Sequence, residues 1–401
     1  MDREAVSGAN GKNTDRGGSD HEAAVLQRYG SAAEEVEPCL CLPVSYNREL
    51  LKVIPKEILE KDYGCGDPSR YIREGETVLD LGSGSGKACY VISQIVGAGG
   101  KVIGLDFNPP MLELARKYQR SVGDQLGYHN VEFRRGKIQD LRTNLELVDQ
   151  YLRKNPVRST SDLAAFEEYQ SKLRHEQPLI ADDSVDVIVS NCVLNLVRPE
   201  DKSVLFAEMY RVLKRGGRIA ISDIVSDEPV PEHLAKDPDL WSACVSGAFQ
   251  EEDFLRAFEE AKFYGIQIEE LRSEAYQTVE GIEFRAVTVT AHKGKEGPCI
   301  ERNQAVIYRG PWKQVMDDDG HTLTRGVRVA VCDKTYGIYS RPPYEGQFVL
   351  VPPREQIPLE KAGIFDCSRE HKRDPRETKG LEYKVTELSG SVCGPDSNCC
   401  P

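Results

Sequence analysis

Two groups of residues in this chain have types and spacings that could do chemistry. The first is the glycine turn VLDLGSGSGK, residues 78–87. Glycines at such a turn accept positive φ and let backbone N–H groups approach a ligand. A nucleoside triphosphate loop needs G-x-x-x-x-G-K-[ST]. Here Leu81 occupies the first glycine position and Ala88 replaces the Ser/Thr. A dinucleotide turn needs G-x-G-x-x-G. Here the third glycine comes one residue early, and Asp80 sits where the strand enters the turn. What remains is an acid-first D-x-G-x-G-x-G turn. A second acid, Asp106, follows about 20 residues after Gly86, where a carboxylate can accept hydrogen bonds from ribose hydroxyls.

The second group is cysteine, 12 residues in 401. Cys192, in SNCVLNL, directly follows an apolar strand; Cys244 lies in LWSACVSG, Cys65 in YGCGDP, and Cys39 and Cys41 in PCLCLP. Ligands of open α/β sheets bind at the carboxyl ends of the strands, so Cys192 should face the cleft. Thiolates are soft donors and select thiophilic ions. Zinc usually takes tight C-x-x-C pairs, and Cys65, Cys192 and Cys244 form none. The 7 histidines do not fall just after strand ends, so a base for an oxygen or nitrogen acceptor is not evident. Cys89 and Cys332 lie in apolar runs and are expected to pack as small hydrophobes. Cys299 and Cys367 suggest no role. Cys393, Cys399 and Cys400 form either a capture point for a thiophilic ion or an inert tail.

These residues must be held by a regular frame. Apolar strands are expected at 77–81, 101–106, 130–134, 185–191 and 217–223, with helices at about 88–96, 110–120 and 201–213 between them. A late pair, 265–271 and 284–292, suggests a closing hairpin. Alternating strands and helices predict an α/β fold with a doubly wound, mostly parallel Rossmann-like sheet. Residues 1–20 are expected to be a disordered tail, and 21–70 to hold helices and cysteine loops. Pro55 should interrupt a helix over 48–61. A first domain spans 71–294, with a polar, helical surface insertion at 141–183. A smaller, mostly β or α+β domain follows at 298–388, then a cysteine-rich tail at 389–401.

Turn, strand order and thiols together resemble the arsenite S-adenosylmethionine methyltransferases of the class I superfamily. The most specific pieces are YGCGDP, VLDLGSGSGKACY, SNCVLNL and the late Cys244 segment. The resemblance implies a methyltransferase sheet that binds S-adenosylmethionine through Asp80, Gly82, Ser83, Gly84, Gly86, Asp106, Met111 and Ile138. It implies that Cys65, Cys192 and Cys244 ligate trivalent arsenic, with trivalent antimony as a second ligand. It also implies that Cys65 with Cys41 or Cys39 forms a redox pair, reset by thioredoxin or glutathione. Two rivals share parts of the pattern: a methyltransferase for a small organic acceptor, and a non-catalytic thiol-rich metalloid-binding protein.

The 65 acidic residues outnumber the 52 basic ones, giving a net charge of −13. That balance disfavours nucleic acid and anionic membrane as partners. No apolar run approaches a membrane span, and the first residues lack the apolar core of a secretory signal. The expectation is therefore a cytoplasmic monomer whose cysteines are mostly reduced.

Overall fold

The computed structural model describes residues 17–35, 46–61, 63–368 and 371–380. The expected tail at 1–16, the loop carrying Cys39 and Cys41, and the tail carrying Cys393, Cys399 and Cys400 lie outside the described residues. The described part divides into two compact units that part after Gly294.

In the first unit, seven main strands build one sheet: β1 (Thr77–Leu81), β2 (Lys101–Asp106), β3 (Val131–Arg135), β4 (Val185–Asn191), β5 (Leu213–Ser226), β6 (Tyr264–Leu271) and β7 (Ile282–His292). Their order is 3-2-1-4-5-7-6. Strands 3, 2, 1, 4 and 5 run parallel, and β7 pairs antiparallel with both β5 and β6. Alternate strand residues feed opposite faces, as a pleated strand requires. Leu79, Leu81, Ile103, Leu105, Ile188 and Ile219 enter one core. Val78, Val102, Val187, Val189 and Ala220 enter the other. The doubly wound α/β expectation therefore holds.

The helices named below are α1 (Gly17–Glu34), α2 (Lys87–Val96), α3 (Pro109–Leu126), α4 (Leu145–Lys154), α5 (Thr160–Glu176), α6 (Pro199–Val212) and α7 (Glu251–Glu260). Gly17–Asp20, expected in the disordered tail, belong instead to α1. Pro55 does break the 48–61 segment, leaving short helices at Arg48–Leu51 and Lys56–Glu60. β5 is longer than expected because its far end continues to pair with β7, through Ser226↔Phe284. The 141–183 insertion is α4 and α5, started by the caps Asn144 and Ser159. Its ends meet where Ile180 N–H donates to the Leu141 carbonyl. Tyr151 stacks on Tyr169 with centroids 4.1 Å apart. A loop closed at its base in this way adds mass without interrupting β3 or β4.

The second unit is α+β. Strand β8 (Ala305–Tyr308) lies antiparallel between β9 (Arg328–Ala330) and β10 (Phe348–Val351). Helix α8 (Asp333–Tyr339) closes it, stacking Tyr339 on Phe348 at 4.4 Å. Arg373 is fully buried and pairs with Glu301 (2.8 Å) and with Glu377. Glu301 and Glu377 are partly exposed and can rehydrate, so the cost of losing Arg373 is its cavity and its hydrogen bonds. Arg373→Ala should therefore destabilise the second unit by about 2–3 kcal/mol, measured by urea unfolding of the full chain.

Candidate active site

The glycine turn divides three tasks among three glycines. All have positive φ: +72° at Gly82, +50° at Gly84 and +86° at Gly86. A Cβ on Gly82 would meet Val193 at 2.5 Å, and one on Gly86 would meet Phe133 at 2.7 Å. A Cβ on Gly84 would meet nothing within 4 Å. Gly84 is thus the position kept open toward a ligand. Gly86, expected to touch cofactor, does not line the cleft; its smallness lets α2 pack on β3.

The cleft at this turn is lined by Asp80, Ser83, Asp106, Met111, Ile138 and Cys192, among others. Asp106 is held rigidly: its two oxygens accept from the backbone N–H of Gly84 (2.8 Å) and Asn108 (2.9 Å). Burial pushes its carboxyl pKa up, while these N–H groups oppose the shift. Each oxygen retains a lone pair for a further donor. Ser83 Oγ is buried without a hydrogen-bond partner. A buried, unpartnered hydroxyl is costly unless a ligand satisfies it. An open glycine, an orphan hydroxyl and two buried acids fit a cofactor bearing an ammonium group and hydroxyls. Cys89 is more than packing, since its Sγ donates to Asp80 Oδ2 at 3.2 Å.

Next to this cleft lies a small pocket lined by Cys65, Cys192, Cys244, Tyr29, Tyr63 and Tyr276. Three sequence-distant thiol positions therefore meet at one place. Asn191, the last residue of β4, brings the first one in. Its side-chain oxygen accepts from the N–H of Cys65 (2.8 Å) and Gly66 (3.1 Å), and its amide donates to the Gly66 carbonyl at 2.8 Å. The glycines of YGCGDP allow that approach. A Cβ on Gly64 would meet Asn191 at 2.4 Å, and one on Gly66 would meet Ser222 at 2.3 Å.

Cys65 and Cys192 are joined by a disulfide with Cα atoms 6.0 Å apart. Cys65 and Cys192, both expected to be free to hold arsenic, are joined here because the Asn191 clamp sets them side by side. The expected redox pairing of Cys65 with Cys41 or Cys39 falls outside the described residues. Cys244 remains a free thiol, and its Sγ donates to the Cys192 carbonyl at 3.0 Å. Cys192 and Cys244 both have positive φ, +60° and +62°. Such backbone is unusual outside glycine and concentrates at functional sites. Burial, and then the negative charge of Asp223, raise the Cys244 thiol pKa well above its ordinary value. Asp223 is itself fully buried and pushed up to about 6, chiefly by burial.

Comparison with known proteins places this arrangement. A methyltransferase-domain family matches residues 72–174 and 164–262, and a domain family of unknown function matches 295–383. The arsenite methyltransferase of Aquipseudomonas alcaligenes is 32% identical over 72% of this chain and 77% of its own length. The chain belongs to the arsenite methyltransferases. The Homo sapiens arsenite methyltransferase is 28% identical over 88% of each chain. The crystal structure of an arsenic(III) S-adenosylmethionine methyltransferase from Chlamydomonas reinhardtii superposes with a TM-score of 0.51. It is 27% identical and covers 81% of this chain and 100% of its own.

In this member of the family, α1 supplies site residues that were not foreseen. Glu22, Val25 and Tyr29 line the cofactor cleft. Glu22 pairs with Lys137 (2.9 Å) and Arg198 (3.5 Å). His21 stacks on Trp241 with centroids 4.4 Å apart. A signal was present: positions 22, 25 and 29 recur at helical spacing and so share one face. Asn191 and Tyr63 were given no role, although they lie inside the cysteine motifs SNCVLNL and YGCGDP.

The glycines yield a graded prediction. Gly82→Ala should cost about 3 kcal/mol, from left-handed backbone plus the Val193 clash. Gly84→Ala should cost only about 1–2 kcal/mol but weaken S-adenosylhomocysteine binding, because the new methyl fills the cradle. Thermal unfolding and calorimetric titration separate the two outcomes.

Proposed function

We propose that the chain transfers methyl groups from S-adenosylmethionine to trivalent arsenic held by the thiolates of Cys65, Cys192 and Cys244. The observation that carries this residue-level reading is the convergence of the three cysteines in one pocket, with Cys192 also lining the cofactor cleft. Membership of the arsenite methyltransferases supports the substrate. The cofactor, when bound, supplies an electrophilic sulfonium methyl. Asp80 would hold its ammonium group, Asp106 its ribose hydroxyls, and Met111 and Ile138 its adenine edge.

Arsenic enters by exchange. Each As–S bond forms as a thiol proton and an arsenic hydroxide leave together as water. Arsenic(III) bound by three thiolates keeps a lone pair, which is the nucleophile, so no general base is required. The task of the protein is then mainly to place that lone pair in line with the methyl carbon. Methyl transfer leaves arsenic pentavalent. Return to the trivalent state takes two electrons: the bonds from arsenic to Cys65 and Cys192 break, the two sulfurs join, arsenic keeps the electron pair, and a water takes the vacated position and loses a proton, leaving neutral methylarsenic(III) on Cys244. The Cys65–Cys192 disulfide is the protein product of that step. Thioredoxin or glutathione, in a reducing cytoplasm, would regenerate the thiols by exchange.

Incubation of the full chain with arsenite, labelled S-adenosylmethionine and dithiothreitol should place label in methylarsenicals. Cys192→Ser should lower that transfer at least about 100-fold, more than loss of a supporting residue typically costs a metal site. Full-rate arsenic methylation by Cys192→Ser would contradict the ligand assignment. A second outcome follows from the disulfide. Protein with the Cys65–Cys192 disulfide should retain markedly less arsenite on equilibrium dialysis than reduced protein, and dithiothreitol should restore binding.

A further inference from the structure

Tyr29 occupies a position that the proposed chemistry has not used. It lines both the cofactor cleft and the thiol pocket. Its hydroxyl lies 3.7 Å from Cys244 Sγ, within hydrogen-bonding range for sulfur. Its ring meets Tyr63 edge-on, with centroids 6.2 Å apart and planes at 77°. The two rings together pack on the small apolar cluster around Met111.

The helix carrying Tyr29 is fastened on both sides of it. Toward the cofactor cleft, Asn108 Nδ2 donates to the Leu26 carbonyl at 3.2 Å, and Glu22 holds Lys137. Toward the thiol pocket, Arg28 donates to the Asp239 carbonyl (3.1 Å) and to Ser242 Oγ (3.0 Å). Asp239 and Ser242 belong to the short helix immediately before Cys244. Tyr29 is therefore registered against the Cys244 segment by its own neighbour in sequence.

The hydrogen bonds at Cys244 have a defined direction. As a thiol, Cys244 spends its one proton on the Cys192 carbonyl at 3.0 Å. Tyr29 O–H is then the group that can donate to the sulfur. When arsenic binds, the thiol proton leaves with an arsenic hydroxide as water, and the bond to the Cys192 carbonyl disappears. The sulfur loses the contact that oriented it. The Tyr29 hydroxyl is still there to donate to a sulfur lone pair that arsenic does not take.

We infer that Tyr29 is a positioning residue for arsenic methylation, its hydroxyl orienting the Cys244 sulfur and its ring forming the partition between cofactor and arsenic. The inference rests on the reading that Cys244 holds arsenic. Hydroxyl and ring act on different ligands, so removing them one at a time separates the two functions. Tyr29→Phe keeps the ring and deletes only the donor. Tyr29→Leu deletes both.

The test uses reduced full-length protein and two readouts: kcat/KM for arsenite at saturating S-adenosylmethionine, and the Kd of S-adenosylhomocysteine by calorimetry. Tyr29→Phe should lower kcat/KM for arsenite about tenfold, the scale of one hydrogen bond to a strongly polarised group. Its Kd for S-adenosylhomocysteine should stay within about twofold of wild type. Tyr29→Leu should impair both. A merely structural role would move both readouts together in Tyr29→Phe. That result, or a Tyr29→Phe rate equal to wild type, would overturn the inference. A Cys244→Ser variant run in parallel keeps the two readings apart. Full activity there would remove Cys244 as an arsenic ligand, whatever Tyr29 does.

Discussion

The side chain of Asn191 sets the geometry on which the thiol pocket depends. It stands at the end of β4, a parallel strand between β1 and β5. Its three hydrogen bonds to the 65–66 turn hold a loop from well before β1 against the end of β4. Cys192 is the next residue, turned by a positive φ away from the strand direction. The amide fixes the register of the Cys65 turn against β4, while packing of Cys65 with Ile224, Val245 and Phe284 buries it. Asn195 repeats the device on the other side. Its amide donates to the carbonyls of Ile224 (2.7 Å) and Cys244 (3.2 Å), tying the third cysteine to the same strand ends. Two asparagines thus convert three distant segments into one pocket.

Burial then favours the neutral product. A free thiolate in this pocket faces desolvation and the nearby Asp223, and both push the Cys244 proton on rather than off. An arsenic bound by three sulfurs carries no net charge, so its formation avoids the cost of burying an ion. The pocket therefore disfavours isolated thiolates while accepting their complex with a trivalent ion. Asp223 is not surplus to this arrangement. It accepts from the N–H of Leu194 and Ile224, which braces the SNCVLNL turn against β5. Lys202, whose pKa burial lowers to about 8, faces the same carboxylate.

Much of this was legible from residue order. The parallel strands read as short apolar runs because both faces are buried, and Cys192 pointed to the cleft because ligands of such sheets bind at the carboxyl ends of the strands. The spacing of the glycine turn excludes two cofactor classes, and the third came from its resemblance to the arsenite methyltransferases. Other features were hidden for physical reasons. Disulfide partners 127 residues apart cannot be paired from spacing, so the Cys65–Cys192 bond emerged only once the Asn191 clamp was visible. Gly86 looked like a cofactor contact because it belongs to the motif, but Phe133 and Ala115 of neighbouring elements claim its space. Helix α1 was legible as a helix but not as a wall of the cleft, because sequence periodicity does not distinguish an apolar face that covers a ligand cleft from one that covers a core.

The central claim is that Cys65, Cys192 and Cys244 hold one arsenic atom together. X-ray absorption at the arsenic edge, on reduced protein loaded with one equivalent of arsenite, tests it most directly. The account predicts a first shell of three sulfurs and no oxygen, falling to two sulfurs in each of Cys65→Ser, Cys192→Ser and Cys244→Ser. A sulfur count unchanged by these substitutions, or an oxygen-dominated shell in the wild-type protein, would contradict it.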